Sequence, residues 1–387
     1  MKVTQISIGR FHHFHLARQM ERFGLLDKVF TGYPKFKLKD EKGIDINKIK
    51  TFPYLHAPYM KRNVIGLDKY DWLNKAWVWY DKLLVDSYAA SKIDKPTILI
   101  ALSGTGLKAG KVAKKKGGIY ICDRGSTHIQ FQDEILREEY EKWGFVYKGI
   151  DPRIIDKELE EYNFADKITI PSTFAKNSYI DKGINENKIT KIPYGINLSR
   201  FQKTKITPID VFRVIWVGGV SLRKGFMYAL KAFQRLEHPN KEFLIIGSVS
   251  KEIKFLLTNE NLDKIIFKGN VSNAVLKDYY SVSHVFVMPS IEDGFGMVLG
   301  ESLACGCPII TTTNSGGVDL FDDSKEGFIV PIRSSDDILE KMQFLADNPE
   351  IQKRMSSNAE KKAKGIGGWD SYGDSWKLVI DNYNKLN

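Results

Sequence analysis

VFVMPSIEDGFGMVLGESLACGCPIITTTNSGG, residues 285–317, reads as a strand, a glycine turn, a helix and a second strand in direct succession. Val285–Met288 is a short apolar run halted at Pro289, as a buried strand is. Glu292 and Asp293 follow, then the Gly294-Phe295-Gly296 turn, with a helix starting near Met297 and Val298. After Gly306 and Pro308 the segment PIITTT forms the next strand and runs to Gly316-Gly317. Strands that are apolar throughout, joined through a helix, belong to a parallel sheet covered on both faces.

The rhythm extends outward in both directions. Upstream, VFRVIWVGG (211–219) is a strand ending in Gly218 and Gly219, RKGFMYALKAFQRL (223–236) an amphipathic helix, and EFLIIGS (242–248) and DKIIFKGN (263–270) further strands. An earlier series is built from KVTQISI (2–8), TILIALSG (97–104), GIYICD (118–123), DKITIPS (166–172) and NKITKIPYG (187–195), with a helix from about His15 to Phe23 and another at LKAGKVAKKK (107–116). The pattern restarts after residue 200, and IPYGINLSRF (192–201) interrupts it with proline, glycine and asparagine. The expectation is two doubly wound Rossmann-like α/β domains facing each other across a cleft: residues 1–195, residues 196–365, and a closing helix over 366–387 that returns to the first domain. Such clefts bind ligands at the carboxyl ends of the strands.

At 387 residues, 43% hydrophobic and 27% charged, the chain is long enough for two cores and is neither disordered nor fibrous. No apolar run reaches the ~18 residues of a membrane span, and Arg10 interrupts any N-terminal signal-like core. Cys122, Cys305 and Cys307 make no disulfide framework and lack zinc spacing, so a reducing cytoplasm is the expected setting. The net charge of +11 resides wholly in residues 1–150, which hold 27 Lys and Arg against 16 Asp and Glu. That asymmetry suits an anionic partner or serves solubility. No nucleic-acid-binding motif accompanies it. Lysines alternate with aromatics through residues 33–62 and 71–84, a mix that fits an anionic membrane surface; Trp72, Trp77 and Trp79 equally fit a buried helix.

Around residue 290 the chemistry concentrates. Glycines at a strand–helix junction let backbone N–H groups approach a ligand, and a helix N-terminus favours phosphate. Glu301, eight residues beyond Asp293, is placed on the helix wall beside the same pocket. Two acids at that separation can hold hydroxyls at both ends of a nucleotide sugar. Arg223 and Lys224 sit at a helix start, where cations are disfavoured unless an anion is bound.

The 285–317 stretch resembles the signature of family 4 glycosyltransferases, retaining enzymes of the two-domain GT-B fold. The match runs through Gly294, Phe295, Gly296, Glu301, Gly306, Pro308, Gly316 and Gly317, with Asp293 where the family has glutamate and Glu292 beside it as the alternative first acid. WVGGVSLRKGFMYALKAF (216–233) is similar to the family's diphosphate-holding segment: Lys224 matches, Gly219 occupies the usual arginine position, and Arg223 is the candidate replacement. The resemblance implies a donor UDP- or GDP-sugar, a glycan or lipid-linked acceptor, work in cell-surface glycan assembly, and a place in the cytoplasm or on the inner membrane face. It implies no cofactor and no obligatory metal, and no Asp-x-Asp triplet occurs. It also places His128, in CDRGSTH (122–128), on a cleft-facing loop touching the donor sugar, with EILREEYEKWG (134–144) a charged helix leading away from the site. Gly9, His12 and His13 fall in the first strand-to-helix loop, facing the acceptor; with His15 they lack the further ligand a metal needs. One rival is an NAD-dependent oxidoreductase, since Gly104, Gly106 and Asp123 fall at the spacing of a dinucleotide fingerprint.

Overall fold

The computed structural model describes every residue except Ile65 and Asn387. Seven strands form the first sheet: β1 (Val3–Ser7), β2 (Leu26–Thr31), β3 (Ile49–Thr51), β4 (Ile98–Leu102), β5 (Ile119–Asp123), β6 (Lys167–Ile170) and β7 (Ile189–Lys191), in the order β3-β2-β1-β4-β5-β6-β7. Six form the second: β8 (Phe212–Val217), β9 (Lys241–Ile246), β10 (Ile265–Gly269), β11 (Val285–Met288), β12 (Ile309–Thr312) and β13 (Gly327–Val330), in the order β10-β9-β8-β11-β12-β13. Every pairing within them is parallel. All of β1 and β11 is buried, as strands covered on both faces by helices must be. Both sheets reverse strand order at their centre, between β1 and β4 and between β8 and β11, which opens a crevice at the carboxyl ends of each. This is the two-domain GT-B architecture.

Three strands, β2, β3 and β13, go beyond the sequence expectation. The two shortest have only three and four residues, too few to show a period. The first helix starts at Phe11 rather than near His15. His12, His13 and His15 therefore ride on its opening turns instead of a loop.

The lobes meet directly. The helix Ile129–Lys142 does not lead away from the second lobe but packs on it. Its Ile135 and Leu136 join the apolar cluster of Phe226, Phe233 and Val287, and Glu139 accepts from the Tyr228 hydroxyl at 2.9 Å and from Arg333 Nε at 2.8 Å. The last helix, Trp369–Leu386, lies against Phe11–Arg22 of the first lobe. Trp369 stacks on His15 with ring centroids 3.7 Å apart, and Arg22 pairs with Asp374 at 2.7 Å. All three cysteines are buried and free. Among the described residues, no helix is long and apolar enough to cross a membrane.

Candidate functional site

Two loops of the second lobe and two of the first enclose a cavity of about 260 Å³. The β8 loop contributes Trp216, Val217, Gly218, Gly219 and Lys224. The β11 loop and the helix Met297–Ala304 contribute Met288, Asp293, Phe295, Gly296, Met297 and Val298, while Gly125 and Tyr194 close the cavity from the first lobe. Gly296 caps that helix with φ of +78°, a conformation glycine adopts without strain. Gly294 lies against the Gly125–Ser126 backbone of the opposite lobe so closely that any side chain would collide with it.

The paired acids of the sequence take separate roles. Asp293 is on the cavity wall, its Oδ2 2.5 Å from Lys224 Nζ. Glu292 is buried beneath. It accepts from Ser126 Oγ (2.7 Å), Thr127 Oγ1 (2.8 Å) and Gln132 Nε2 (2.9 Å), all of the first lobe, and from Arg223 Nε (2.7 Å). Burial works to raise its pKa, yet the Arg223 guanidinium and these hydrogen bonds hold it down to about 2. Arg223 thus supports the wall through Glu292 rather than lining the cavity beside Lys224. Arg124 shapes the opposing loop, donating through Nε to the Thr127 carbonyl at 2.8 Å and pairing with buried Glu158.

Other expected residues fall elsewhere. Glu301 is on the helix Met297–Ala304, little more than one turn from its start, and is not among the residues that line this cavity. It faces Tyr280 and Arg200, and burial, opposed by Arg200, pushes its carboxyl up to about 7. His128 is not on the cleft wall. It caps the helix Ile129–Lys142, its Nδ1 accepting from Gln130 N–H at 3.3 Å, and is sealed against Tyr162 and Tyr179. Burial first, and then Arg124, lower its pKa to about 4, so it is neutral at pH 7. The loop position was legible, but the inward turn of the ring was not.

The first-lobe histidines acquire the third partner that sequence spacing lacked. His12 Nε2 and His13 Nε2 stand 2.6 and 3.1 Å from the same oxygen of Asp123, and the three ligand-capable atoms lie within 4.8 Å of one another. Asp123 also accepts from Thr169 Oγ1 at 2.7 Å. Gly9, ahead of these histidines, accepts through its carbonyl from Ser7 Oγ at 2.8 Å.

The same geometry overturns the dinucleotide fingerprint. The amides of Gly104 and Gly106, which would have to cradle a pyrophosphate, already donate to the buried Glu161 carboxylate at 2.5 and 2.9 Å. A side chain of the protein fills the anion site. Asp123, the supposed ribose ligand, is engaged by the two histidines.

Residues 200–362 match the family model described as Glycosyl transferases group 1. Over that segment the chain is similar to the glycosyl transferases of group 1. Among curated relatives, the capsular polysaccharide biosynthesis glycosyltransferase CapM of Staphylococcus aureus is 28% identical over 46% of this chain and 51% of its own. The alpha-monoglucosyldiacylglycerol synthase of Acholeplasma laidlawii is 27% identical over 52% and 56%. The chain's matches thus span about half the length of these relatives. Among solved structures, the fold is similar to sucrose-phosphate synthase from Thermosynechococcus elongatus (TM-score 0.74, 16% identity, all of both chains). It is likewise similar to Anabaena HepE in complex with UDP and glucose (TM-score 0.69, 15% identity, 99% of this chain and all of the other).

Sequence reasoning had missed Tyr194, Gly125, Trp216 and Met288 as cavity residues. Tyr194 lies within the IPYG hinge and Gly125 within CDRGSTH, so their segments were visible while their shared destination was not.

Proposed function

We propose that this protein is a glycosyl transferase that moves a sugar from a UDP- or GDP-sugar to a glycan or lipid-linked acceptor in the assembly of a cell-surface polysaccharide or glycolipid. The observation that carries the reading is the Lys224–Asp293 pair, set in the cavity between the Gly218–Gly219 turn and the start of the helix Met297–Ala304. A cation, glycine-flanked amides and a helix N-terminus together meet an anion. When the donor bond breaks, negative charge develops on the leaving diphosphate. Lys224, supported by Arg223, stabilises it in place, and this electrostatic contribution is usually the largest in such reactions. Asp293 faces the sugar carbon as it gains positive character, and the ribose, reaching past the cavity along the helix Met297–Ala304, meets Glu301. With side-chain cations supplying the charge, the reaction needs no obligatory metal.

The names of CapM and of the diacylglycerol-modifying relative support the biosynthetic setting, and the UDP and UDP-glucose bound to HepE support the donor class. The family resemblance implies retention of anomeric configuration. A lipid-linked acceptor on the cytoplasmic membrane face is supported by a first-lobe surface that exposes Phe36, Tyr54, Met60, Val64 and Trp72 among Lys61, Arg62 and Lys69. Titration calorimetry with UDP, GDP, ADP and NAD tests the reading: UDP or GDP binds and NAD does not. Binding of NAD alone refutes it, and the anomeric proton coupling of the product reads the stereochemistry.

A further inference from the structure

We propose that His12, His13 and Asp123 form a site for one Zn²⁺ ion, which clasps the opening turn of the helix Phe11–Arg22 to the carboxyl end of β5. The proposal is independent of the transferase reading and gives the ion no part in sugar transfer. The two histidines follow β1 directly and Asp123 ends β5, with β4 alone between those strands. All three residues are buried, His13 completely. His12 Nε2 and His13 Nε2 address the same oxygen of Asp123, at 2.6 and 3.1 Å. Two imidazoles and a carboxylate are a donor set for Zn²⁺, whereas Ca²⁺ and Mg²⁺ are held by oxygen ligands.

Hydrogen bonding accounts for His12 but not for His13. His12 Nε2 is aligned with the carboxylate oxygen. His13 Nε2, 3.1 Å from that oxygen, is not aligned for a hydrogen bond, and its Nδ1 has no partner either. A fully buried polar group without a partner is costly, and one in a native protein needs a reason. A lone pair directed at a metal ion supplies that reason. Asp123 makes the matching demand. Its Oδ1 accepts from Thr169 Oγ1 at 2.7 Å, and among the described residues no lysine or arginine pairs with it. A buried carboxylate calls for positive charge close by, which a dication provides.

Little movement is needed to admit the ion. Tetrahedral ligands at ~2.0–2.2 Å from Zn²⁺ stand ~3.4 Å from one another. The His13–Asp123 separation of 3.1 Å is near that value, and the three ligand atoms lie within 4.8 Å of one another. The 2.6 Å His12–Asp123 contact has to lengthen by ~0.8 Å. Tyr194 Oη, 3.4 Å from His12 Nε2, brings a fourth oxygen to the place. Thr169 holds the ligating carboxylate from outside, as the partners of metal ligands do. None of the three ligands lines the donor cavity, so stabilisation of the leaving group by Lys224 proceeds without the ion. Its effect is on stability, because it joins residues 111 apart in the chain.

The test uses the full chain, loaded with Zn²⁺ and then desalted, with zinc counted by plasma mass spectrometry and unfolding followed by scanning calorimetry. The wild type should hold one zinc per chain. Its Tm should fall on prolonged dialysis against pyridine-2,6-dicarboxylate and return with Zn²⁺ but not with Mg²⁺. His13→Gln and Asp123→Asn should each lose the zinc, while His238→Gln, in the second lobe, should keep it. Thr169→Val leaves the ligands in place and should weaken zinc affinity ~10–100-fold. Co²⁺ in place of Zn²⁺ should give the visible bands of a four- or five-coordinate nitrogen–oxygen site, a readout on the wild type that needs no variant to fold. A wild type that takes up no stoichiometric zinc overturns the proposal, as does zinc retained in full by both His13→Gln and Asp123→Asn. Calorimetric titration of UDP and GDP into zinc-loaded and zinc-free protein keeps the two readings apart. Equal affinity in both is expected, and loss of nucleotide binding on zinc removal overturns the placement of the ion outside the donor site. Binding of neither nucleotide by either form refutes the transferase reading, whereas the zinc count stands on its own.

Discussion

Replacing Glu292 with glutamine tests whether this carboxylate holds the two lobes together. Its pKa falls from an ordinary 4.5 to about 2. At ~1.4 kcal/mol per unit, that displacement corresponds to about 3 kcal/mol of preference for the ionised native form. The group is fully buried, so little of this is screened by solvent. Because the folded pKa is depressed, the contribution is complete above the unfolded value near 4.5 and disappears as pH falls through about 2. Glu292→Gln keeps an oxygen that Ser126 and Thr127 can still reach but removes the charge facing Arg223. The variant should lose about 2–3 kcal/mol at pH 7, or ~2–4 °C in Tm for a protein at least this large. The gap between variant and wild type should narrow steadily below pH 4. Three of the four partners belong to the opposite lobe. Small-angle scattering at pH 7 should therefore show a larger radius of gyration in the variant. A variant with wild-type Tm and an unchanged acid-unfolding curve would refute the interlobe role.

Lys224→Ala should reduce donor turnover by ~10²-fold or more, as loss of one electrostatic donor does, and Arg223→Ala should add a loss of thermal stability that Lys224→Ala lacks; equal melting curves for the two would contradict the Arg223–Glu292 geometry. Glu301→Ala should weaken UDP or GDP binding by ~1.5–3 kcal/mol in calorimetry. The stability carried by the protonated Glu301 carboxyl is complete below about 4.5 and lost as pH rises through about 7, so Glu301→Gln should make the free protein more stable than wild type at pH 8 by denaturant midpoint. Turnover should survive EDTA, and inhibition restored by added Mg²⁺ or Mn²⁺ would contradict leaving-group stabilisation by side-chain cations. The protein should sediment with anionic vesicles at low salt and release at high salt, each basic residue near the surface contributing ~1 kcal/mol, and Trp72→Ala, at a side chain 72% exposed, should weaken the association measurably.

What was legible in the sequence was what neighbours along the chain determine. The β11 strand, the Gly294–Gly296 turn and the following helix lie within twenty residues, so strand, turn and helix start each leave a local mark. Arg223 and Lys224 stood out because cations ahead of a helix call for an anion, and the structure supplies one to each, Glu292 and Asp293. Which acid faces the cavity could not be read, because the answer depends on Ser126, Thr127 and Gln132, some 160 residues away and in the other lobe. The Gly104–Gly106 fingerprint failed for the same reason. Its amides are well made for an anion, and the fold delivers one from Glu161, a partner that no spacing rule within the motif can reveal. The opposite case is His12. The sequence offered a cluster of histidines with no carboxylate near, and a separation of 111 residues closes to 2.6 Å when β1 and β5 take their places in one sheet. In a doubly wound fold the carboxyl ends of the strands are brought together wherever they lie in the chain. The distance in sequence between a histidine at one such end and an aspartate at another therefore carries no evidence against their acting as a pair.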